Sequence, residues 1–330
     1  MYKVDEKLLD NLVKTRNLSS KTRQGYLNAI NVYVSYNKKP LKDLLDEAEA
    51  EEELGIRWKK RKLKQRLIDF RVFLHEKYLV STAKVYFQRI VSLYHHFEIE
   101  IHNLPPLSTK SGNIPKPITY EDLPTKEIIK NAIKISNPLM KSIILFMSSS
   151  GCARRETLNL TIGDFISATK EYHEKTEINE ILNFLKKEDN IIPTFRIRRQ
   201  KTNKFYFTFC SPEASNQIIK YLLVRNNLKN KDKLFDINLY YLNKYFMEIN
   251  NGLKLGKVGT YNKFRSHMLR KFHASALYNH KNGLSLEEID ALQGRKKDSV
   301  HSSYFMENPY ILKKKYEESL DAITILRENK

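Results

Sequence analysis

Apolar positions in the first hundred residues recur at intervals of three and four, the period of an amphipathic helix. Tyr26, Ile30 and Tyr33 share one face of a segment that Ser19 or Ser20 is placed to cap. Ile68, Val72 and Phe73 continue the pattern, as do Val85, Ile90 and Leu93, so residues 8–104 read as helices. The pattern lapses over 104–117, where Pro, Ser and Gly displace apolar residues; this is the clearest boundary in the chain. Beyond it, Thr125 can cap a helix reaching Ile135, and 139–149 makes another. Over 193–209 the period drops to 2. Phe195/Ile197 and Phe205/Phe207 alternate on either side of Thr202-Asn203, which predicts a β-hairpin. Helices resume near Pro212, Leu239 and Arg265, and Ser285-Leu286-Glu287-Glu288 is a capping box opening a short helix that ends at Gly294. Residues 312–326 read as a closing amphipathic helix. The expected fold class is mainly α with one small β-hairpin. It divides into a helical domain (1–104), a linker (105–119) and a mixed α+β domain (120–330).

Charge narrows the class of partner. Lys and Arg number 58 against 38 Asp and Glu, a formal net charge of +20, and Arg and Lys crowd beside aromatic residues in Phe195-Arg196-Ile197-Arg198-Arg199-Gln200-Lys201. That combination points to a polyanion, with nucleic acid the first candidate. Two cysteines and no Cys-x-x-Cys exclude a disulfide framework and a Cys-rich zinc site, and fit a reducing cytoplasm. Met1-Tyr2-Lys3-Val4-Asp5 carries no apolar signal region, and Ile143-Ile144-Leu145-Phe146-Met147 is too short to span a bilayer. The expectation is a soluble cytoplasmic protein with no membrane partner. An acidic run over 46–53 followed by a basic run over 57–62 has two readings, oppositely charged solvated surfaces or a basic helix face lying on DNA.

The candidate chemistry lies in the last quarter of the chain: Ser266-His267-Met268-Leu269-Arg270-Lys271, then Leu292-Gln293-Gly294-Arg295, then Ser302-Ser303-Tyr304. Guanidiniums hold phosphate oxygens in bidentate fashion, a neutral imidazole can accept a proton, and a phenol can attack phosphorus. Together they suggest an enzyme that cuts a nucleic-acid backbone through a phosphotyrosine. Neither a His-Glu-x-x-His nor a Gly-x-x-x-x-Gly-Lys-Ser/Thr loop is present, so no metal or nucleotide cofactor is expected.

In this order the residues resemble the tyrosine recombinase (phage integrase) family, and among its members the integrases of archaeal mobile elements, which share Gly-Arg at 294–295. His267 and Arg270 match the family's His-x-x-Arg, Lys201 sits at its hairpin lysine, and Tyr304 follows Arg295 by nine positions, the family's usual interval to its nucleophile. The resemblance implies a helical domain that grips DNA and a C-terminal catalytic domain. It also implies a covalent 3′-phosphotyrosine on Tyr304 and Lys201 as proton donor to the leaving 5′-oxygen. Implied partners are duplex DNA carrying recombination sites, further copies of the chain in a homotetramer and, as an open possibility, a DNA-bending accessory protein. The tail after Tyr304 is expected either on a neighbouring protomer or on its own domain.

Two departures stand out. The family writes Gly-x-Arg-x-x-Glu, whereas here Gly151-Cys152-Ala153-Arg154-Arg155-Glu156 places Ala where the Arg belongs. Arg154 is the expected phosphate clamp, with Arg155 as the alternative. Arg295 replaces a common His and, having no basic lone pair, can act only as a cationic donor. Tyr206, Tyr240 and Tyr241 are candidates for stacking on bases, with core or hairpin packing the simpler account. Two other readings stay open: a catalytically silent DNA-binding protein, which Ala153 favours, and a type IB topoisomerase-like nicking-closing enzyme.

Overall fold

The computed structural model describes residues 3–108, 117–200, 203–295 and 308–326. They fall into two compact units, Met1–Lys116 and Pro117–Lys330, each with its own hydrophobic core.

The first unit contains helices α1 (Lys3–Thr15), α2 (Ser20–Asn37), α3 (Leu41–Glu53), α4 (Lys62–Lys77) and α5 (Val80–His96). Ser19 caps α2, accepting from Thr22 N, and the expected face of Tyr26, Ile30 and Tyr33 is buried. Tyr33 is the centre of this core: its ring meets Phe70 edge-on at 4.7 Å, and its hydroxyl lies 2.9 Å from that of Tyr94. Two helices lack a capping side chain of their own and borrow a carboxylate. Asp5 accepts from Leu41 N at the start of α3, and Glu51 from Lys62 N and Leu63 N at the start of α4. These bonds satisfy amide groups that a helix start leaves orphaned. The acidic–basic junction is therefore partly internal, with Glu51 a cap and Glu52 paired to Arg61 at 2.6 Å. Arg57, Lys59, Lys60 and Lys62 remain exposed.

The second unit is built around α7 (Pro138–Ser150), buried from Ile143 to its end. Four serines survive inside because Ser142, Ser148, Ser149 and Ser150 donate their hydroxyls to carbonyls three or four residues back. Around it stand α6 (Lys126–Lys134), α8 (Arg154–Asn159), α9 (Ile162–Ala168), α10 (Ile178–Leu185), α11 (Pro212–Leu223), α12 (Leu239–Gly252), α13 (Ser266–Tyr278) and α14 (Leu286–Leu292). Two short helices, α15 (Pro309–Glu318) and α16 (Leu320–Ile323), close the unit. Strands β1 (Thr194–Arg199) and β2 (Lys204–Phe209) form the expected antiparallel hairpin, and β3 (Lys257–Val258) pairs with β4 (Tyr261–Asn262) just before α13. The predicted starts at Thr125 and Ser285 hold as side-chain caps.

The hairpin's burial follows its register. Phe195 pairs with Thr208 and Ile197 with Tyr206, so those four share the core face. Phe205 and Phe207 stand opposite Arg198 and Arg196 on the other face, where the guanidinium of Arg196 covers the ring of Phe205 at 4.5 Å. The alternation identified the hairpin, but in β2 the residues turned inward are Tyr206 and Thr208. The closing segment packs on its own unit. Tyr316 is fully buried against Phe209 and donates to Ser149 O at 2.9 Å, Lys315 pairs with Glu288 and Lys313 with Glu171. Among the described residues no helix is long and apolar enough to cross a membrane.

Candidate active site

Two helix C-termini converge on one guanidinium. Helix α7 ends at Gly151 in the left-handed conformation, α14 ends at Gln293-Gly294 with Gly294 also left-handed, and α13 lies between them. Arg270, on α13, donates Nη1 to Gly151 O at 2.5 Å and Nη2 to Gln293 O at 2.7 Å. Carbonyls at helix C-termini carry partial negative charge and suit a cation. Both glycines are required by contact as well as by conformation. A Cβ on Gly151 would lie 2.5 Å from His273 Nδ1, and one on Gly294 2.5 Å from the ring of Tyr206.

One face of α13 carries the chemistry at three-residue steps, His267, Arg270 and His273, and burial deepens along it. His267 keeps an exposed edge. Partial desolvation, with the charges of Lys271, Arg265, Arg270 and Arg295 acting in the same direction, lowers its pKa below the ordinary histidine value. A neutral imidazole that can accept a proton results. Arg270 is almost entirely enclosed. Desolvation lowers its pKa and the neighbouring charges of Arg199 and Arg295 add to this, while Tyr206 and Cys152 oppose it; an arginine stays charged regardless. His273 is fully buried, and desolvation pulls it to about 3, so it is neutral. Its Nδ1 lies 3.0 Å from Gln293 Nε2, which also donates to Arg270 O at 3.0 Å. Gln293 thus ties the imidazole and the guanidinium to one turn.

Arg295 is exposed beside the cluster, with Nη1 3.1 Å from Asp290 Oδ1. Ala153 is the N-cap of α8 and Arg154 its first residue; the Arg154 guanidinium donates to Asn243 Oδ1 on α12 at 2.6 Å. Arg155 is exposed, and Glu156 is buried near Cys152 and Tyr206, both of whose pKa values its charge helps to raise. Lys201 and Tyr304 lie outside the described residues. The structure therefore brings together His267, Arg270 and Arg295, and directs Arg154 to Asn243.

Arg199 is the member sequence reasoning missed. It is half-buried at the end of β1, with Nη1 3.1 Å from Gln293 O and also donating to Gly294 O. The signal was present: residues 195, 197 and 199 share a strand face, so Arg199 belongs inside while Arg196 and Arg198 point away. Tyr206, read as a candidate base-stacker, is buried behind Gly294, whereas Tyr240 and Tyr241 are exposed. Cys152 and Cys210 are free and buried, and desolvation pushes Cys152 up to about 11, far from a reactive thiolate. Among the described residues no three His, Cys, Asp or Glu side chains converge to hold a metal ion. A groove of about 880 Å³ lined by Tyr120, Lys126, Ser275, Asn279 and Asp321 shares no residue with the guanidinium cluster.

No protein-family model and no curated protein sequence matches this chain. Solved structures do. The chain is similar to the XerH site-specific recombinase bound to its difH substrate in a pre-cleavage complex, at TM-score 0.51 and 19% identity over 94% of this chain and 83% of that one. It is similar also to a lambda integrase tetramer bound to a Holliday junction, at TM-score 0.55 and 13% identity over 92% and 76%. The fold is that of the tyrosine recombinases.

Proposed function

We propose that this chain is a site-specific DNA recombinase that breaks and rejoins duplex DNA through a covalent 3′-phosphotyrosine on Tyr304. The observation that carries the reading is the placement, within a recombinase fold, of a neutral His267 one helical turn from a preorganised Arg270, with Arg295 in the same field. In the cleavage step the Tyr304 oxygen forms a bond to phosphorus and the phenolic proton passes to His267. The bond from phosphorus to the 5′-oxygen breaks, and Lys201 supplies that oxygen's proton. Negative charge growing on the non-bridging oxygens is met by Arg270, which two carbonyls orient before substrate arrives, and by the positive charge of Arg295 beside it. A 5′-hydroxyl attacking the phosphotyrosine reverses the step and reseals the strand. Because the phosphotyrosine conserves the bond energy, resealing needs no nucleotide.

The first unit, with Arg57, Lys59, Lys60 and Lys62 exposed, is assigned to gripping the duplex. XerH and lambda integrase were each crystallised with DNA, the latter as a tetramer; the same class of partner and a homotetramer on paired sites are proposed here, with a mobile element as the source. Arg154, and Arg155 as the alternative, stand beside the position where the family carries its first arginine.

The test is a covalent one. A duplex selected from a randomised pool by binding to the full chain is nicked near its centre and incubated with protein. A denaturant-resistant adduct mapping to Tyr304, lost in Tyr304→Phe with binding kept, is the expected result. Ala153 is the specific observation behind the silent DNA-binding reading, which gains if the parent gives no adduct and Ala153→Arg restores one. Relaxation of supercoiled plasmid without strand exchange would favour the nicking-closing reading.

A further inference from the structure

We infer that Arg199, on the strand leading into the hairpin turn, contacts the scissile phosphate and supplies the guanidinium that Ala153 cannot. The inference rests on the recombinase reading above and adds a residue to it.

The argument starts from what holds the cations. Arg199 Nη1 and Arg270 Nη2 both reach the carbonyl oxygen of Gln293, so the two guanidiniums are immediate neighbours. Like charges at such separation repel, and neutral carbonyls that accept from both offset part of that repulsion. The bonds recorded for the two run to Gly151 O, Gln293 O and Gly294 O. A carboxylate partner would neutralise them; a carbonyl orients them and leaves the charge free for an incoming anion. Arg295 adds a third positive charge, its own pair with Asp290 being exposed and screened.

Arg199 also keeps donor capacity. Nη1 is committed to the two carbonyls, while its Nε is buried and has no partner among the described residues. A buried N–H without an acceptor costs stability unless function or a ligand answers it, and a phosphate oxygen is such an acceptor. Nε and one Nη form the edge that a guanidinium presents to phosphate in bidentate contact.

The alternatives in the sequence are less suited. Arg154 extends to Asn243 on α12, and Arg155 is the next, exposed residue of the same short helix. Arg199 instead enters from β1, on the face shared with Phe195 and Ile197, and meets Arg270 at the turn that opens the chain toward Tyr304. Shifting a charge from a helix start to a strand end leaves the oxyanion with the same number of donors.

Three variants of the full chain separate contact from scaffolding: Arg199→Ala, Arg199→Gln and Arg154→Ala. Arg199→Gln keeps a side-chain amide donor for the carbonyls but not the charge. The probes are the selected duplex, intact for binding and nicked for single-turnover cleavage at saturating protein. Expected for both Arg199 variants is a loss of about 100- to 1000-fold in adduct formation. The slope of log affinity against log salt should become shallower by about 0.9, the loss of one phosphate contact. Arg154→Ala should stay within about threefold of the parent in rate, a change of well under 1.4 kcal/mol. Parental rate and slope in Arg199→Gln, or the deep loss falling on Arg154→Ala, overturn the inference. If the parent forms no adduct, the recombinase reading fails, and the salt slope still decides whether Arg199 touches phosphate.

Discussion

Gly151→Ala is the sharpest probe of how the site is held. Gly151 has φ +63°, a region that costs an L-residue roughly 1–2 kcal/mol. The added methyl would also sit 2.5 Å from Nδ1 and 2.8 Å from Cε1 of His273, an imidazole that is fully buried and tied through Gln293 to Arg270. Overpacking of this kind adds about 1–3 kcal/mol, so the whole effect is about 2–5 kcal/mol. Gly256→Ala is the matched control within the same unit, because its φ is +70° and nothing lies within 4 Å of the position a Cβ would take. It should show the conformational part alone. At about 2–4 °C per kcal/mol for a unit of this size, calorimetry should place the Gly151→Ala transition several degrees below that of Gly256→Ala. The gap measures the clash. The Arg270 anchor moves with it, so adduct formation should fall further than the loss of folded protein explains. Equal melting temperatures for the two variants would refute the account of Gly151 as packed against His273.

Further tests follow from other contacts. His273 sits at about 3 in the folded chain against about 6.5 unfolded. Its contribution is therefore full above pH 6.5 and is lost as pH falls toward 3, by about 2 kcal/mol at pH 5. Denaturant titrations at pH 7.5 and 5 should show this loss in the parent and not in His273→Gln; equal pH dependence in the two counts against it. Tyr316→Ala removes a fully buried ring and its bond to Ser149 O, at a cost of about 3–5 kcal/mol by analogy with other large aromatic truncations. Limited proteolysis should then cut within 309–326 well before the parent is cut there, and unchanged resistance would mean the segment is held elsewhere. Residues 1–108, which carry their own core, should bind duplex DNA more weakly than the whole chain and lose affinity steeply with salt; salt-insensitive binding would remove the gripping role.

Local rules legible in the sequence decided much of the fold. Ser19, Thr125 and Ser285 announce helix starts because a capping oxygen acts within three residues, and the period-2 run at 193–209 announces a hairpin because strand faces alternate. The Pro- and Ser-rich stretch at 104–117 contains the point at which the chain divides, Lys116 to Pro117. His267 and Arg270 were found together because three residues on a helix are one turn. What the sequence left open depends on contacts between elements far apart in the chain. The alternation in β2 could not say whether Phe205 or Tyr206 turns inward, since pairing with Arg198 and Ile197 settles that. Gln293 carried no motif, yet three hydrogen bonds join it to α13 and a fourth joins it to Arg199 on β1, and these exist only once the elements are packed. Arg199 looked like one charge in a basic run until β1 met the end of α14. That Arg154 pairs with Asn243 on α12 likewise depends on how the helices pack. Caps, periods and turns are set by neighbours in the chain; a cluster of guanidiniums on carbonyls is set by which helix ends meet, and tertiary packing alone determines that.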